Sequence, residues 1–211
     1  GECSFYVPDD NFEQALIDLG YDDTLDDTVS FTNIIGVTSL DVSEKEISDL
    51  TGIEGFEALT DLKCGGNELA TLDVSSNTAL TELRCWNNEM TSLNVTGAAN
   101  LVTLLCYDNE LTSLDVSENT ALIDLDCHNN QLTALDVSNN TVLTKLECET
   151  NQLTTLDLRN NTALFRIRCH TNQLFHLNMK NGVTDQLTEF NATNNSFDCI
   201  EVNAEDVDYA T

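Results

Sequence analysis

The chain has 211 residues, of which 8 are Lys or Arg and 37 are Asp or Glu, a net charge of −29. So acidic a surface repels nucleic acid and anionic membranes at long range and favours cations or basic partners. The chain is nonetheless 41% hydrophobic, in strict periodicity and without any run near the roughly 18 apolar residues of a membrane helix, which argues against disorder and membrane insertion.

The chain opens with Gly1-Glu2-Cys3, as a mature or trimmed sequence would, with no signal peptide in view. Residues 1–36 read as an N-terminal cap. Asp10 is placed to N-cap a short helix, with Glu13 closing a capping box. Phe12, Ala15, Leu16 and Leu19 form its apolar face, and Gly20 ends it by accepting a left-handed conformation. An acidic loop, residues 22–27, follows. Clustered oxygens suit calcium, but the EF-hand spacing and its Gly are absent, so a solvated loop is the simpler expectation.

From residue 37 the chain becomes repetitive. Residues 122–142 read LIDLDCHNNQLTALDVSNNTV, and closely similar stretches start at Leu59, Leu80, Leu101, Leu143 and Leu164, each 21 residues after the last. Fixed-period similarity marks a stacked solenoid, and Leu-x-x-Leu-x-(apolar)-x-x-Asn-x-Leu is the leucine-rich repeat pattern. No unit can bury its apolar residues alone, so the turns share one continuous core. The first turn keeps Leu40, Val42, Ile47 and Leu50 in register but carries Lys45 where the others carry Asn. Repeats fill residues 37–186. Residues 187–211 hold a last turn with Phe190, Ala192, Asn195, Phe197 and Ile200, then end at Asp208-Tyr209-Ala210-Thr211 without an evident cap. The expected fold is a leucine-rich repeat solenoid, a right-handed superhelix that is mainly β, with a parallel concave sheet and a short N-terminal cap helix. The second half of each repeat is short and rich in Thr, Ser, Asn and Asp, which predicts extended or single-turn 3₁₀ segments on the far side.

Six of the eight cysteines, Cys64, Cys85, Cys106, Cys127, Cys148 and Cys169, share the 21-residue step and form one inward column. Neighbours about 4.8 Å apart on parallel strands lie at or beyond the upper end of disulfide geometry. A straight row also cannot surround an ion tetrahedrally. These cysteines read as small buried hydrophobes. Cys3 and Cys199 fall at opposite ends of the stack and are not expected to pair. Asn67, Asn88, Asn109, Asn130, Asn151, Asn172 and Asn195 form a second inward column, whose amides are expected to bond loop backbone.

These motifs resemble the secreted and cell-surface leucine-rich repeat proteins of bacteria over nearly the whole chain. VPDDNFEQALIDLG with its acidic loop, the LxCxxNxLTxLDVSxNTAL repeats and Ser196-Phe197-Asp198-Cys199-Ile200-Glu201-Val202 look like versions common in marine, polysaccharide-degrading bacteria. The first turn, with Ile47, Leu50, Gly52, Ile53 and Phe56, is similar to internalin-type repeats. The resemblance implies an extracellular or cell-surface, non-enzymatic binding role. It also implies that the partner of Cys199 lies in sequence beyond this chain, leaving a free thiol here. It carries over no ligand.

Two-residue alternation turns the strand residues that flank the inward Leu and Cys toward the concave face. Four columns result: Asp61, Glu82, Thr103, Asp124, Lys145, Arg166; Lys63, Arg84, Leu105, Asp126, Glu147, Arg168; Gly65, Trp86, Tyr107, His128, Glu149, His170; and Gly66, Asn87, Asp108, Asn129, Thr150, Thr171. They hold five of the eight basic residues, the only Trp and two of the three His. A scaffold that varies on one face is expected to use that face for recognition. The candidate ligand contacts are therefore Lys63, Arg84, Trp86, Tyr107, Asp126, His128, Lys145, Glu147, Glu149, Arg166, Arg168 and His170.

Sharper chemistry does not fit. His128 and His170 are two steps apart, about 10 Å, too wide to share one zinc. Cys127-His128 and Cys169-His170 point to opposite faces, so neither makes a thiol–imidazole pair. Asp126 beside Glu147 imitates a glycosidase pair, but an open sheet offers no enclosed pocket. No enzyme activity, metal or cofactor is expected. The leading reading is an extracellular recognition or adhesion module that binds a protein partner, since Trp, Tyr and Arg dominate binding hot spots and the charges are zoned. The alternatives are an anionic, carboxylated or sulfated polysaccharide, held by Arg and by ring faces against Trp86 and Tyr107, and a structural spacer.

Overall fold

The computed structural model describes residues 4–204. Where each repeat reads x-Leu-x, a three-residue strand forms with its central apolar side chain inward. The strands are Ser39–Asp41, Asp61–Lys63, Glu82–Arg84, Thr103–Leu105, Asp124–Asp126, Lys145–Glu147, Arg166–Arg168 and Glu189–Asn191. They stack in chain order as one eight-stranded sheet, and every pairing in it is parallel. Asp61 lies beside Glu82 and Lys145 beside Arg166, one repeat apart. The longer final repeat is absorbed before Glu189, which lies beside Arg166. This is a leucine-rich repeat solenoid of about eight turns.

The far side is extended, as its composition predicts. Thr71–Asp73 pairs with Ser92–Asn94, and Thr155–Asp157, His176–Met179 and Cys199–Val202 form a second short parallel ladder. Single 3₁₀ turns occur at Ile53–Gly55 and Thr184–Gln186. Between the two sides lies one core of Leu, Val and Cys. Phe190, on the last strand of the sheet, is 45% exposed, because among the described residues a neighbouring turn packs on one side of it alone.

Six cysteines sit in that core, buried and unpaired. Burial pushes the Cys64 and Cys169 thiols up to about 12 and the four between them well above the usual thiol range. Thiolate chemistry is thereby suppressed. Cys199 is exposed and free, while Cys3 and the tail 208–211 lie outside the described residues.

The predicted asparagine column is satisfied turn by turn. Asn130 Nδ2 donates to the carbonyls of Cys106, Cys127 and His128, and its Oδ1 accepts from Leu111 N–H at 3.0 Å. Asn109 and Asn151 repeat the pattern. A second column, not anticipated from the sequence, holds Asn77, Asn119, Asn140 and Asn161 on the far side, all fully buried. Each donates to two carbonyls of the preceding turn or turns, as Asn140 does to Val116 and Asn119, while its own Oδ1 has no partner.

The cap helix spans Asp10–Asp18, and its N-cap is Asp9 rather than the predicted Asp10. Asp9 has extended backbone and accepts from Asn11 N–H and Phe12 N–H through Oδ1. Its Oδ2 accepts from Ser48 N–H, Ser48 Oγ and Asp49 N–H, so one carboxylate both starts the helix and ties the cap to the first turn. That double use explains the one-residue shift. Glu13 does not close a capping box; its Oε1 accepts from Asp26 and Thr28 N–H across the acidic loop. Gly20 (φ +80°) ends the helix as predicted, with Gly20 N–H bonded to Ile17 O and Tyr21 N–H to Leu16 O. Leu19 is 45% exposed and not part of the apolar face.

Two cap elements were not foreseen: Ser4–Tyr6 pairs antiparallel with Thr28–Ser30, and Phe31–Ile34 forms one helical turn. The Ser4–Tyr6 strand leads onto Gly52 (φ +106°), where a Cβ would meet Val7 Cγ2 at 2.8 Å and Tyr6 O at 2.9 Å. Among the described residues, no helix is long and apolar enough to cross a membrane.

Candidate functional site

All twelve candidate residues lie on the face of the eight-stranded sheet or in the turn that follows it. Strand positions one and three point outward and are half-buried, because each side chain leans on the equivalents in neighbouring turns. The strands are only three residues long, so the third and fourth columns belong to the turn. The fourth column corrects the sequence reading. Gly66, Asn87, Asp108, Asn129, Thr150 and Thr171 have φ between +50° and +68°, a left-handed conformation that suits Gly, Asn and Asp. Backbone geometry accounts for Gly66, Asn87, Asp108 and Asn129, but not for the β-branched Thr150 and Thr171.

The third column forms a ring ladder. Trp86 and Tyr107 are 6.0 Å apart between centroids at an interplanar angle of 7°, and Tyr107 and His128 are 4.7 Å apart at 8°. Beyond Trp86 lies Gly65, where a Cβ would sit 2.5 Å from the indole ring. Gly65 is thus the floor on which Trp86 lies flat. Each inner ring face in this run is covered, by Gly65, Trp86, Tyr107 or His128, and the rings offer their edges. The sequence reading of sugar rings against aromatic faces does not fit this arrangement.

His128 Nδ1 lies 2.6 Å from Asp126 Oδ1. That hydrogen bond, reinforced by the surrounding carboxylates, holds the imidazole pKa above its ordinary value despite partial burial. A cationic imidazole over Tyr107 adds a cation–π contact. Glu149 is the exception to the half-buried pattern, at 7% exposure. Burial raises its carboxyl pKa, and its Oε2 has no hydrogen-bond partner.

The basic candidates are already neutralised within the chain. Arg84 bonds Asp61 at 2.9 Å and Glu82 at 2.5 Å, and Lys63 lies 3.7 Å from Asp61. Lys145 bonds Asp124 at 2.8 Å. Arg166 and Arg168 share Glu147 at 3.0 and 3.1 Å and Glu189 at 3.0 and 2.5 Å. The pairing raises the Arg168 pKa and lowers that of Glu189. Glu189 was missed in the sequence because it lies on the final turn, outside the 21-residue step. The 23-residue offset from Arg166 is the signal that would have found it. Asp126 and Glu147, the imitation carboxylate pair, are instead held by His128 and by two guanidinium groups. Among the described residues, no three or more of His, Cys, Asp and Glu are arranged to hold one metal ion.

No protein-family model matches the chain. Internalin J of Listeria monocytogenes is 40% identical over 73 residues, covering 35% of this chain and 8% of that protein. The solved functional domain of InlJ from the same organism, described as including a cysteine ladder, is 29% identical. That match covers 95% of this chain and 62% of the domain at a TM-score of 0.55. A leucine-rich repeat protein of Leptospira interrogans shares the fold at 23% identity and a TM-score of 0.70, over 77% of this chain and 44% of its own. The chain thus spans less than two thirds of each of these proteins. It has a leucine-rich repeat fold whose repeats resemble those of bacterial internalins.

Proposed function

We propose that the chain is an extracellular or cell-surface recognition module that binds a protein partner through the sheet face of residues 37–186, closed at one end by the cap of residues 1–36. The similarity to internalin J supports a protein-interaction or adhesion role of this general kind. The observation that carries the choice of partner is the pairing of Lys63, Arg84, Lys145, Arg166 and Arg168 with carboxylates of the same face. A polysaccharide anion would have to displace those carboxylates and would find the ring faces covered. Ring edges, Leu105 and an acidic centre around Asp126, Glu147 and Glu149 suit a protein surface that brings apolar and basic groups together.

The test is a binding screen of the purified chain on two sets of probes. One is an array of purified extracellular proteins, and the other is carboxylated, sulfated and neutral polysaccharides at low and high salt. Trp86→Ala, Tyr107→Ala and a triple Arg84/Arg166/Arg168→Ala variant run in parallel. Saturable binding to a protein, lost in the Trp86 or Tyr107 variant and retained at high salt, supports the proposal. Salt-sensitive polysaccharide binding lost in the triple variant would replace it with polyanion capture. Binding to neither set would leave a spacer.

A further inference from the structure

We propose that protons switch the sheet face. The carboxyl of Glu149, set between the imidazoles of His128 and His170, makes the centre of the face anionic above neutral pH and cationic in acid, so that a basic partner is held in the first state and released in the second. The partner's chemistry rests on the protein-recognition reading; the switch itself does not.

His128, Glu149 and His170 occupy one position in three successive turns, whose strands pair in register. Side chains in this column lie one strand step apart, as the 4.7 Å between the Tyr107 and His128 ring centroids shows. Glu149 is 7% exposed, and its Oε2 is buried without a hydrogen-bond partner. Its Oε1 lies 4.0 Å from His170 Nε2, an ion pair only when that ring carries the extra proton. Among the described residues no Lys or Arg pairs with Glu149, because Arg166 and Arg168 on the next strand are held by Glu147 and Glu189. A buried carboxyl needs a cation, a donor or a proton of its own. Here the cations on offer are imidazolium groups.

The far nitrogens of both rings are held: His128 Nδ1 lies 2.6 Å from Asp126 Oδ1, and His170 Nδ1 lies 3.0 Å from Thr171 Oγ1. Thr150 and Thr171, which follow Glu149 and His170, are β-branched yet left-handed, at φ +54° and +55°. Backbone strain of this kind persists only where the surroundings enforce it, and it clusters at functional sites. The charges facing the column are mostly negative. Asp126, Glu149 and Asp108 act on His128 beside the Tyr107 ring; His128, Glu147 and Asp126 act on Glu149, which acts in turn on Arg168. Behind Glu149 the buried thiols of Cys127, Cys148 and Cys169 stay protonated, and beyond His170 the next turn brings the uncharged Thr193. The Asp126 hydrogen bond thus holds His128 above the ordinary imidazole value, and burial holds Glu149 above the ordinary carboxyl value. Acidification adds one proton to each imidazole and one to Glu149, taking the column from −1 to +2. Such a reversal at the centre of an interface repels the basic groups it attracted before.

The experiment follows the His128 imidazole and the Glu149 carboxyl by NMR from pH 4.5 to 8.5 in the full chain, in wild type, Glu149→Gln and His128→Gln. A tetra-arginine peptide is then titrated at pH 5.0 and pH 8.0 and read at the Asn129 and Glu149 amides. The His128 midpoint should fall in Glu149→Gln, and the peptide should bind the centre of the face about tenfold more tightly at pH 8.0 than at pH 5.0. In both variants that ratio should shrink toward the one read in the cap, which has no His. A His128 midpoint indifferent to Glu149→Gln would overturn the switch, and so would a peptide footprint on the face that is equal at the two pH values. The NMR titration needs no partner, so its failure is told apart from a protein screen that finds nothing.

Discussion

The inward column of Asn109, Asn130 and Asn151 repeats one residue and one bonding pattern. The outward column beginning two residues earlier in each turn runs Trp86, Tyr107, His128, Glu149 and His170, with few residues repeated. Both columns step by one turn, so the difference lies in what each side chain faces. Inside, every turn presents the same carbonyls and N–H groups, and one amide answers them all. Outside, each side chain faces its neighbouring side chains and the surroundings, and the solutions are made pairwise: ring on ring, imidazole on carboxylate, guanidinium on two carboxylates. Uniformity marks the part of the repeat that holds the stack together. Variety marks the part free to be specific.

The sharpest way to break that comparison is to remove an inner amide. Asn130→Ala leaves Leu111 N–H without its acceptor in a buried site and removes one of the two asparagine donors to each of the Cys106 and Cys127 carbonyls. A loss of about 3 kcal/mol, read from the denaturant midpoint, is expected. Asn140→Ala on the far side gives up only two donated bonds, and its Oδ1 was already unpartnered, so the loss should be nearer 1–2 kcal/mol. Equal losses would mean that the two asparagine columns do the same work. Cys127→Ala should cost about 1 kcal/mol through the small void it leaves. In the folded wild type the six core thiols should resist a thiol reagent that titrates Cys199.

Outer-face changes should be smaller in stability. Tyr107→Ala should cost about 1–2 kcal/mol, the scale of its two half-buried stacking contacts with Trp86 and His128, while abolishing partner binding. The smallest effect concerns pH. His128 has a raised folded pKa, so its stabilising contribution is complete below its ordinary value of 6.5 and is lost as pH rises through the raised one. Glu149, also raised, acts in the same direction at lower pH: stability falls as pH climbs from its ordinary value of 4.5 to its raised folded pKa and levels off above it. Wild type should therefore lose up to about 1 kcal/mol more than His128→Gln between pH 6 and pH 8.5, measured by urea unfolding. A His128→Gln profile parallel to wild type would remove Asp126 from the account.

The core was legible because it is periodic. Leu62, Cys64 and Asn67, once seen to recur, could be placed inside with no further information, and the structure puts them there. The cap was half legible. The helix and Gly20 were visible, but the choice of Asp9 over Asp10 depends on Ser48 and Asp49, which only the fold brings near. The far-side asparagines were missed although Asn77, Asn119, Asn140 and Asn161 carry the same signal as the inner ones, because a polar residue among Ser and Thr reads as surface. On the outer face the members of each column were legible, and their availability to a ligand was not. That Trp86 lies against Gly65, and that Arg166 and Arg168 are both held by Glu147, follow from which residues are neighbours across turns. Reading one repeat at a time hides them.

The constant 21-residue step between Asp61 and Arg166 makes the chain divisible in a way that few folds are. Excising residues 101–121 would close the gap with backbone groups identical to those removed, while on the outer face His128 would land against Trp86 and Asp126 beside Arg84. The scaffold is in effect a ribbon that can be cut and joined at any turn. Each splice would preserve the interior and write a new surface, so a lineage of such chains can change what it recognises by gaining or losing whole turns, without first passing through damaged cores.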